Sequence, residues 1–213
     1  MRSGANMAKA PGSQLLAWGV ATRSRVGETS TGDSAVVTPV PGGTLVAAVD
    51  GCGHGVEAAR AARIACDLVR RAASSDLVSL ASQCHDLLKR TRGAAMSLAF
   101  LSAAAATITW LGIGSVQGRL LSGGRRSTSG ASRSLRLVSG VVGHNVPSLT
   151  TATLTLEHGD VVVFATDGIA ATFADALELL GHPQEIADRI VADHWKGTDD
   201  ALVVVARYLA ARQ

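Results

Sequence analysis

Aromatic side chains are scarce, with three Trp, three Phe and one Tyr making up 3% of the 213 residues. Binding of single-stranded nucleic acid by stacked bases is thereby disfavoured, because that mode needs a row of aromatic platforms. Cysteine is scarce too. Cys52, Cys66 and Cys84 are odd in number and form no CxxC pair, which excludes a disulfide framework and a zinc knuckle and fits a reducing cytoplasm. No uncharged apolar run reaches the ~18 residues of a membrane span, and no apolar run follows Arg2 and Lys9 at the N-terminus. A cytoplasmic protein without membrane or nucleic-acid partners is expected, with residues 1–13 a flexible extension and 14–213 a single domain. Nothing in the chain suggests an obligate interface, so a monomer is expected as well.

What is present is small and apolar. Hydrophobic residues make up 47% of the chain and charged residues 17%, with 23 Gly, and the formal net charge is +3. Such a composition belongs to a globular chain, and this length buries a substantial core without staples. Nine apolar runs of strand length stand out: Leu15–Ala21, Ala35–Val40, Thr44–Val49, Ala95–Leu101, Ala105–Leu111, Val116–Leu121, Thr151–Leu156, Val161–Ala165 and Ala201–Ala206. Pro41-Gly42-Gly43 reads as a hairpin turn, and Glu157-His158-Gly159-Asp160 reads as a second one. Helical periodicity covers Val56–Ala73 and lies within Asp76–Arg90; it recurs at Ile186, Ala187, Ile190, Val191 and His194 after Pro183, with a shorter helix expected over Phe173–Leu180. Regular βαβ alternation is missing. The pattern predicts an α+β fold in which helices cover mostly antiparallel sheets. Ser122–Ser134, a Gly/Ser background with three Arg, reads as an exposed flexible loop.

Carboxylates mark the strand ends. Asp33 precedes an apolar run, Asp50 and Asp167 follow one, and Asp199-Asp200 precede the last. In antiparallel pairing the end of one strand lies beside the start of the next, so these groups could meet at one edge. Gathered without a counter-charge they would repel or take up protons, and no Lys or Arg lies within these motifs. Oxygen donors without clustered His or Cys suit Mg²⁺ or Mn²⁺ and argue against zinc. Two ions roughly 3.5 to 4 Å apart could share a carboxylate and activate water for in-line attack on phosphorus. For any single Asp, a turn-starting role is the commoner one, but two Asp-Gly pairs each ending a hydrophobic strand weaken that explanation. The glycines of Asp50–Gly55 do not fit a dinucleotide fingerprint, since Val56 stands at the third glycine position and no βαβ unit follows.

At these residues the sequence resembles the metal-dependent Ser/Thr protein phosphatases (PPM, or type 2C), in particular the bacterial SpoIIE-like branch and its small stressosome members. The motifs, in order, are TGDS at Thr31–Ser34, VDGCGHG at Val49–Gly55, RGAAMS at Arg92–Ser97, LGIGSVQGRLL at Leu111–Leu121, GDVVVFATDGI at Gly159–Ile169 and TDDALVVVA at Thr198–Ala206. The resemblance implies a four-layer α/β/β/α sandwich with a two-metal site at one edge. By position, Asp50 would bridge the ions, Gly51 would lend its carbonyl, Asp167 and Asp199 would ligate, Asp33 would bind directly or through water, and Asp200 is the alternate for Asp199. It further implies hydrolysis of phosphoserine or phosphothreonine on a regulatory partner, such as a phosphorylated STAS-domain protein of a stressosome.

The pattern also departs from the family. Leu202 stands where many relatives carry Thr or Ser, no Glu follows the TDG turn, and the phosphate-binding Arg of the eukaryotic enzymes has no clear counterpart, although Arg23 or Arg25 could contribute. The eukaryotic general-acid His position is Cys52 here, which leaves His54 as the candidate proton donor to the leaving oxygen. A loop histidine that caps the next helix is an equal alternative for His54, and Cys52 is expected as a small buried thiol. A catalytically silent phosphoprotein-binding module of the same fold is the competing functional reading.

Overall fold

The computed structural model describes residues 15–72, 74–123, 132–175 and 177–209. Two sheets carry the fold. The first has the strand order β1 (Leu16–Arg23), β11 (Ala201–Tyr208), β10 (Val161–Ala165), β6 (Gln117–Leu121) and β7 (Ser132–Leu135). The second runs β2 (Asp33–Val40), β3 (Gly43–Gly51), β4 (Ala94–Ser102), β5 (Thr107–Ile113) and β8 (Leu137–Val138), with β9 (Ala152–Thr155) sharing the free side of β5. Every pairing is antiparallel except that of β5 with β8.

Three apolar strata separate four layers. Helices α1 (Gly55–Ala72) and α2 (Leu77–Leu88) pack on the second sheet through Leu45, Ala47 and Val49, while Val46 and Ala48 of the same strand face the first sheet. Across that inter-sheet core stand Val162, Phe164, Leu202 and Val204, whose neighbours Val163, Val203 and Val205 point the other way toward α3 (Pro183–His194). Strands buried on both faces read as continuous apolar runs rather than as alternating ones, which is the pattern of these central strands. The predicted α/β/β/α sandwich is the observed architecture. Among the described residues no helix is long and apolar enough to cross a membrane.

Local chemistry places the ends. Asp76 caps α2 by accepting from Ser79 N at 3.0 Å. At the start of α3, Pro183 occupies the first turn and Glu185 returns to the His182 N–H at 2.9 Å, completing a capping box. The Pro41-Gly42 turn joins β2 to β3. Proline presets the first central position and Gly42, at φ +82°, takes the second, so the hairpin closes with Val40 opposite Gly43. Counting back along that register sets Asp33 opposite Asp50.

Three expectations need correction. The Glu157–Asp160 segment is a turn, with Asp160 N bonded to Glu157 O at 3.0 Å, yet it links β9 of one sheet to β10 of the other and is no hairpin. Among the described residues the expected helix over Phe173–Leu180 is absent: a single 3₁₀ turn spans Ala171–Ala174. Beyond it, the carbonyls of Glu178, Leu179 and Gly181 accept from the Arg189 and Arg207 guanidinium groups, so side chains satisfy groups that a helix would bond internally. Ser132–Ser134 belongs to β7 rather than to a loop, paired with β6, while residues 124–131 of that stretch lie outside the described residues, as do residues 1–14.

Candidate metal centre at the sheet edge

The β2–β3 hairpin delivers two acids to one edge. Asp33 is buried and accepts from Thr166 Oγ1 at 2.7 Å; the same hydroxyl oxygen accepts from Leu202 N at 2.8 Å, which ties the end of β10 to the start of β11. Asp50 is half-buried and accepts from Ser115 Oγ at 3.1 Å, in the turn between β5 and β6. The next residue, Gly51, is pressed against α1. A Cβ there would lie 2.1 Å from the Ala58 carbonyl oxygen, so only glycine lets the loop and helix pack. Gly51→Ala is expected to cost at least about 1–3 kcal/mol, the range for overpacking, as measured by chemical denaturation.

The remaining acids come from the first sheet. Asp167 is exposed in the turn after β10, and its carbonyl accepts from Lys196 Nζ at 2.6 Å. Asp199 is half-buried, with its carbonyl held by Trp195 Nε1 at 2.9 Å, and its Oδ1 accepts from Asp200 N at 2.9 Å. Asp200 is buried differently. Its two oxygens accept from Arg25 N at 2.8 Å and Gly32 N at 2.7 Å, so its carboxylate is spent on fixing the loop that precedes β2.

Asp50, Asp167 and Asp199 line a cleft of about 460 Å³ together with Cys52, Gly53 and Ser115, and Ser139–Val141 form its far wall. Burial, and then the charge of Asp50 opposite, push the Asp33 carboxyl up to about 8, with Thr166 opposing and Asp200 and Asp167 adding to the rise. Burial and then Asp167 push Asp50 up to about 7, Ser115 opposing and Asp199 and Asp200 reinforcing. Asp167 is raised too, by burial and then Asp199, against the pull of Lys196. Of the strand-end carboxylates, Asp50, Asp167 and Asp199 share the cleft, while Asp33 and Asp200 are buried beside it.

The arrangement is an open cleft rather than a cage. Among the described residues, no three Asp, Glu, His or Cys side chains close around one point. Asp33, Asp50, Asp199 and Asp200 each accept a hydrogen bond from the protein. This donor set fits Mg²⁺ or Mn²⁺, which keep several waters and need only one or two carboxylates each, and does not fit the closed nitrogen and sulfur sphere of structural zinc.

Asp33, Gly51, Asp200, His54, Arg23 and Arg25 are not among the residues that line the cleft. His54 stands at the rim, half-exposed, with Nδ1 2.8 Å from Glu28 Oε1. Arg23 lies over the Trp195 ring at 4.1 Å. Cys52 is half-buried on the cleft wall, not the buried thiol expected, and burial followed by Asp50 and Asp167 raises its thiol. Sequence reasoning missed Thr166, Ser115, Lys196 and Glu28. Thr166 alone had a local signal, standing between an apolar strand and the Asp167-Gly168 turn; the other three reach the site through tertiary contacts only.

A four-layer sandwich with a carboxylate-lined cleft at one sheet edge defines a phosphatase of the PP2C type. Solved structures agree on the fold. RsbX in complex with magnesium superposes with a TM-score of 0.79 at 24% identity, over 91% of this chain and 95% of that one. The PP2C domain of SpoIIE from Bacillus subtilis gives 0.71 at 18%, over 93% and 64%. A chain from work on the bacterial stressosome, described there as a modular system adapted to control secondary messenger signaling, reaches 0.81 at 30%, over 91% and 100%. In sequence, the phosphoserine phosphatase RsbX of Bacillus subtilis (strain 168) is 28% identical over 146 residues, 68% of this chain and 71% of that protein. Residues 41–209 match the family described as Stage II sporulation protein E (SpoIIE). The chain belongs to the SpoIIE family and is a phosphatase.

Proposed function

We propose that this phosphatase hydrolyses phosphoserine or phosphothreonine on a regulatory protein, in the manner of a stressosome phosphatase acting on phosphorylated STAS-domain proteins. The observation that carries the reading is the cleft lined by Asp50, Asp167 and Asp199 at the sheet edge, with Asp33 opposite Asp50 in the β2–β3 hairpin. Two Mg²⁺ or Mn²⁺ ions would be held by Asp33, Asp50, the Gly51 carbonyl, Asp167 and Asp199. When bound, the ions supply the Lewis acidity that makes water nucleophilic toward phosphorus and neutralises charge on the phosphoryl oxygens.

The protein's part is placement. Thr166 and Ser115 aim Asp33 and Asp50, and the Trp195 ring pins the backbone of Asp199. Both oxygens of Asp200 accept backbone hydrogen bonds, which supports Asp199 rather than Asp200 as the ligand. Glu28 Oε1 orients the His54 ring through Nδ1 at 2.8 Å, so that in the doubly protonated ring the Nε2–H would pass its proton to the departing serine oxygen. The three free thiols accord with a reducing, cytoplasmic setting.

Phosphate release from a serine-phosphorylated STAS-domain protein tests the reading. Release is expected with Mn²⁺ or Mg²⁺ and not with EDTA; no release from folded, ion-supplied protein would favour a silent binding module. Within the site, Asp199→Asn is expected to weaken Mn²⁺ binding by at least about tenfold in calorimetry. Asp200→Asn is instead expected to cost about 1.5–3 kcal/mol of folding stability in denaturant titration, because one of its two charge-assisted hydrogen bonds loses its acceptor.

A further inference from the structure

A cation stands beside the metal loop with nothing to bind. A Cβ on Gly53 would lie 2.9 Å from Arg92 Nη1, so the guanidinium rests against the glycine that lines the cleft two residues beyond Gly51. The backbone beneath it is held firmly. Gly93 O accepts from Cys52 N at 3.0 Å, and Thr91 Oγ1 accepts from Gly93 N at 3.0 Å while donating to Leu88 O at 2.8 Å. Ala94 and Val142 exchange both of their backbone bonds, which joins the base of Arg92 to the segment that forms the far wall of the cleft.

The side chain itself is exposed and makes no hydrogen bond or ion pair among the described residues. Two other cations near the cleft are committed. Lys196 donates to the Asp167 carbonyl and Arg23 stacks on Trp195. A guanidinium unpaired among the described residues, on a rigid base and against a glycine that lines the cleft, suits an oxyanion. Its planar fork of N–H donors matches two oxygens of a phosphoryl group at once.

We propose that Arg92 binds the phosphoryl group of the substrate, serving as the phosphate-recognition residue of the cleft. This assignment rests on the phosphoester-hydrolase reading above. The step asks no group to change its covalent state. Arg92 donates N–H bonds to non-bridging oxygens and orients the ester for attack.

The test compares the unaltered protein with Arg92→Ala and Arg92→Lys, all supplied with Mn²⁺. Calorimetric titration with inorganic phosphate is expected to show about tenfold weaker binding for Arg92→Ala and an intermediate loss for Arg92→Lys, which keeps the charge but not the fork. KM should rise about tenfold for both a phosphoserine protein and the small ester p-nitrophenyl phosphate, because they share only the phosphoryl group. The thermal shift produced by Mn²⁺ should stay unchanged in both variants. Unaltered phosphate affinity in Arg92→Ala would overturn the assignment, as would a KM rise confined to the protein substrate, which would make Arg92 a contact to the partner's surface. If the unaltered protein hydrolyses neither ester, the hydrolase reading fails, and the phosphate titration still decides the role of Arg92.

Discussion

Asp50→Asn abolishes phosphate release and raises the melting temperature of the metal-free protein. The two effects have one origin. Asp50 faces Asp33 across the hairpin, and burial followed by the charges of Asp167, Asp199 and Asp200 disfavours its ionised form. The amide keeps an oxygen for the Ser115 hydroxyl and removes a charge that neighbouring carboxylates repel in EDTA. It also removes one of the carboxylates that would hold the ions. An activity loss of at least about 10³-fold is expected, equivalent to roughly 4 kcal/mol of transition-state stabilisation. Phosphate release with Mn²⁺ and calorimetry in EDTA read the two arms. Retained activity, or a lower melting temperature in EDTA, would contradict the assignment.

The metal-free protein should lose stability as pH rises from about 4 to about 8. In the unfolded chain Asp33 and Asp50 titrate near 3.8, whereas in the fold they are pushed up to about 8 and about 7. Between those limits the folded state holds protons that the unfolded chain has released, so stability falls with rising pH. Their contribution is complete below about pH 4 and is lost as pH passes through the folded values. Divalent ions act in the opposite sense: they displace those protons, so the stabilisation from a fixed Mn²⁺ concentration should be larger at pH 8 than at pH 6. Melting curves in EDTA and in Mn²⁺ across this range, for the unaltered protein and Asp33→Asn, separate these two acids from the other titrating groups. The variant should show a flatter EDTA profile.

The carboxylate edge was legible because each acid sits where an apolar run begins or ends, and because Pro41-Gly42 specifies a two-residue turn whose register alone sets Asp33 opposite Asp50. The central strands were legible through their Val-rich runs, which are long because both faces are buried. Where signals are local but pairings are not, the fold departs from the expected pattern. The Glu157–Asp160 turn has ordinary turn chemistry, yet nothing in four residues says whether the flanking strands pair or part into different sheets. Strand β7 buries only Leu135, so Ser132-Arg133-Ser134 shows no apolar alternation. Leu177 and Leu179 have helical company in sequence, but Arg189 and Arg207 arrive from α3 and β11 to claim the backbone around them. Lys196 likewise reaches Asp167 only because the segment before β11 folds back over the Asp167-Gly168 turn, where Lys196 N also bonds Gly168 O at 2.9 Å.

Calorimetric titration of Mn²⁺ into the metal-free protein at pH 8 tests most directly whether this edge is a catalytic metal centre. Two ions per chain should bind, with proton release, and Asp50→Asn should bind neither in the same range. An absence of binding up to millimolar Mn²⁺, or equal binding by Asp50→Asn, would contradict the account.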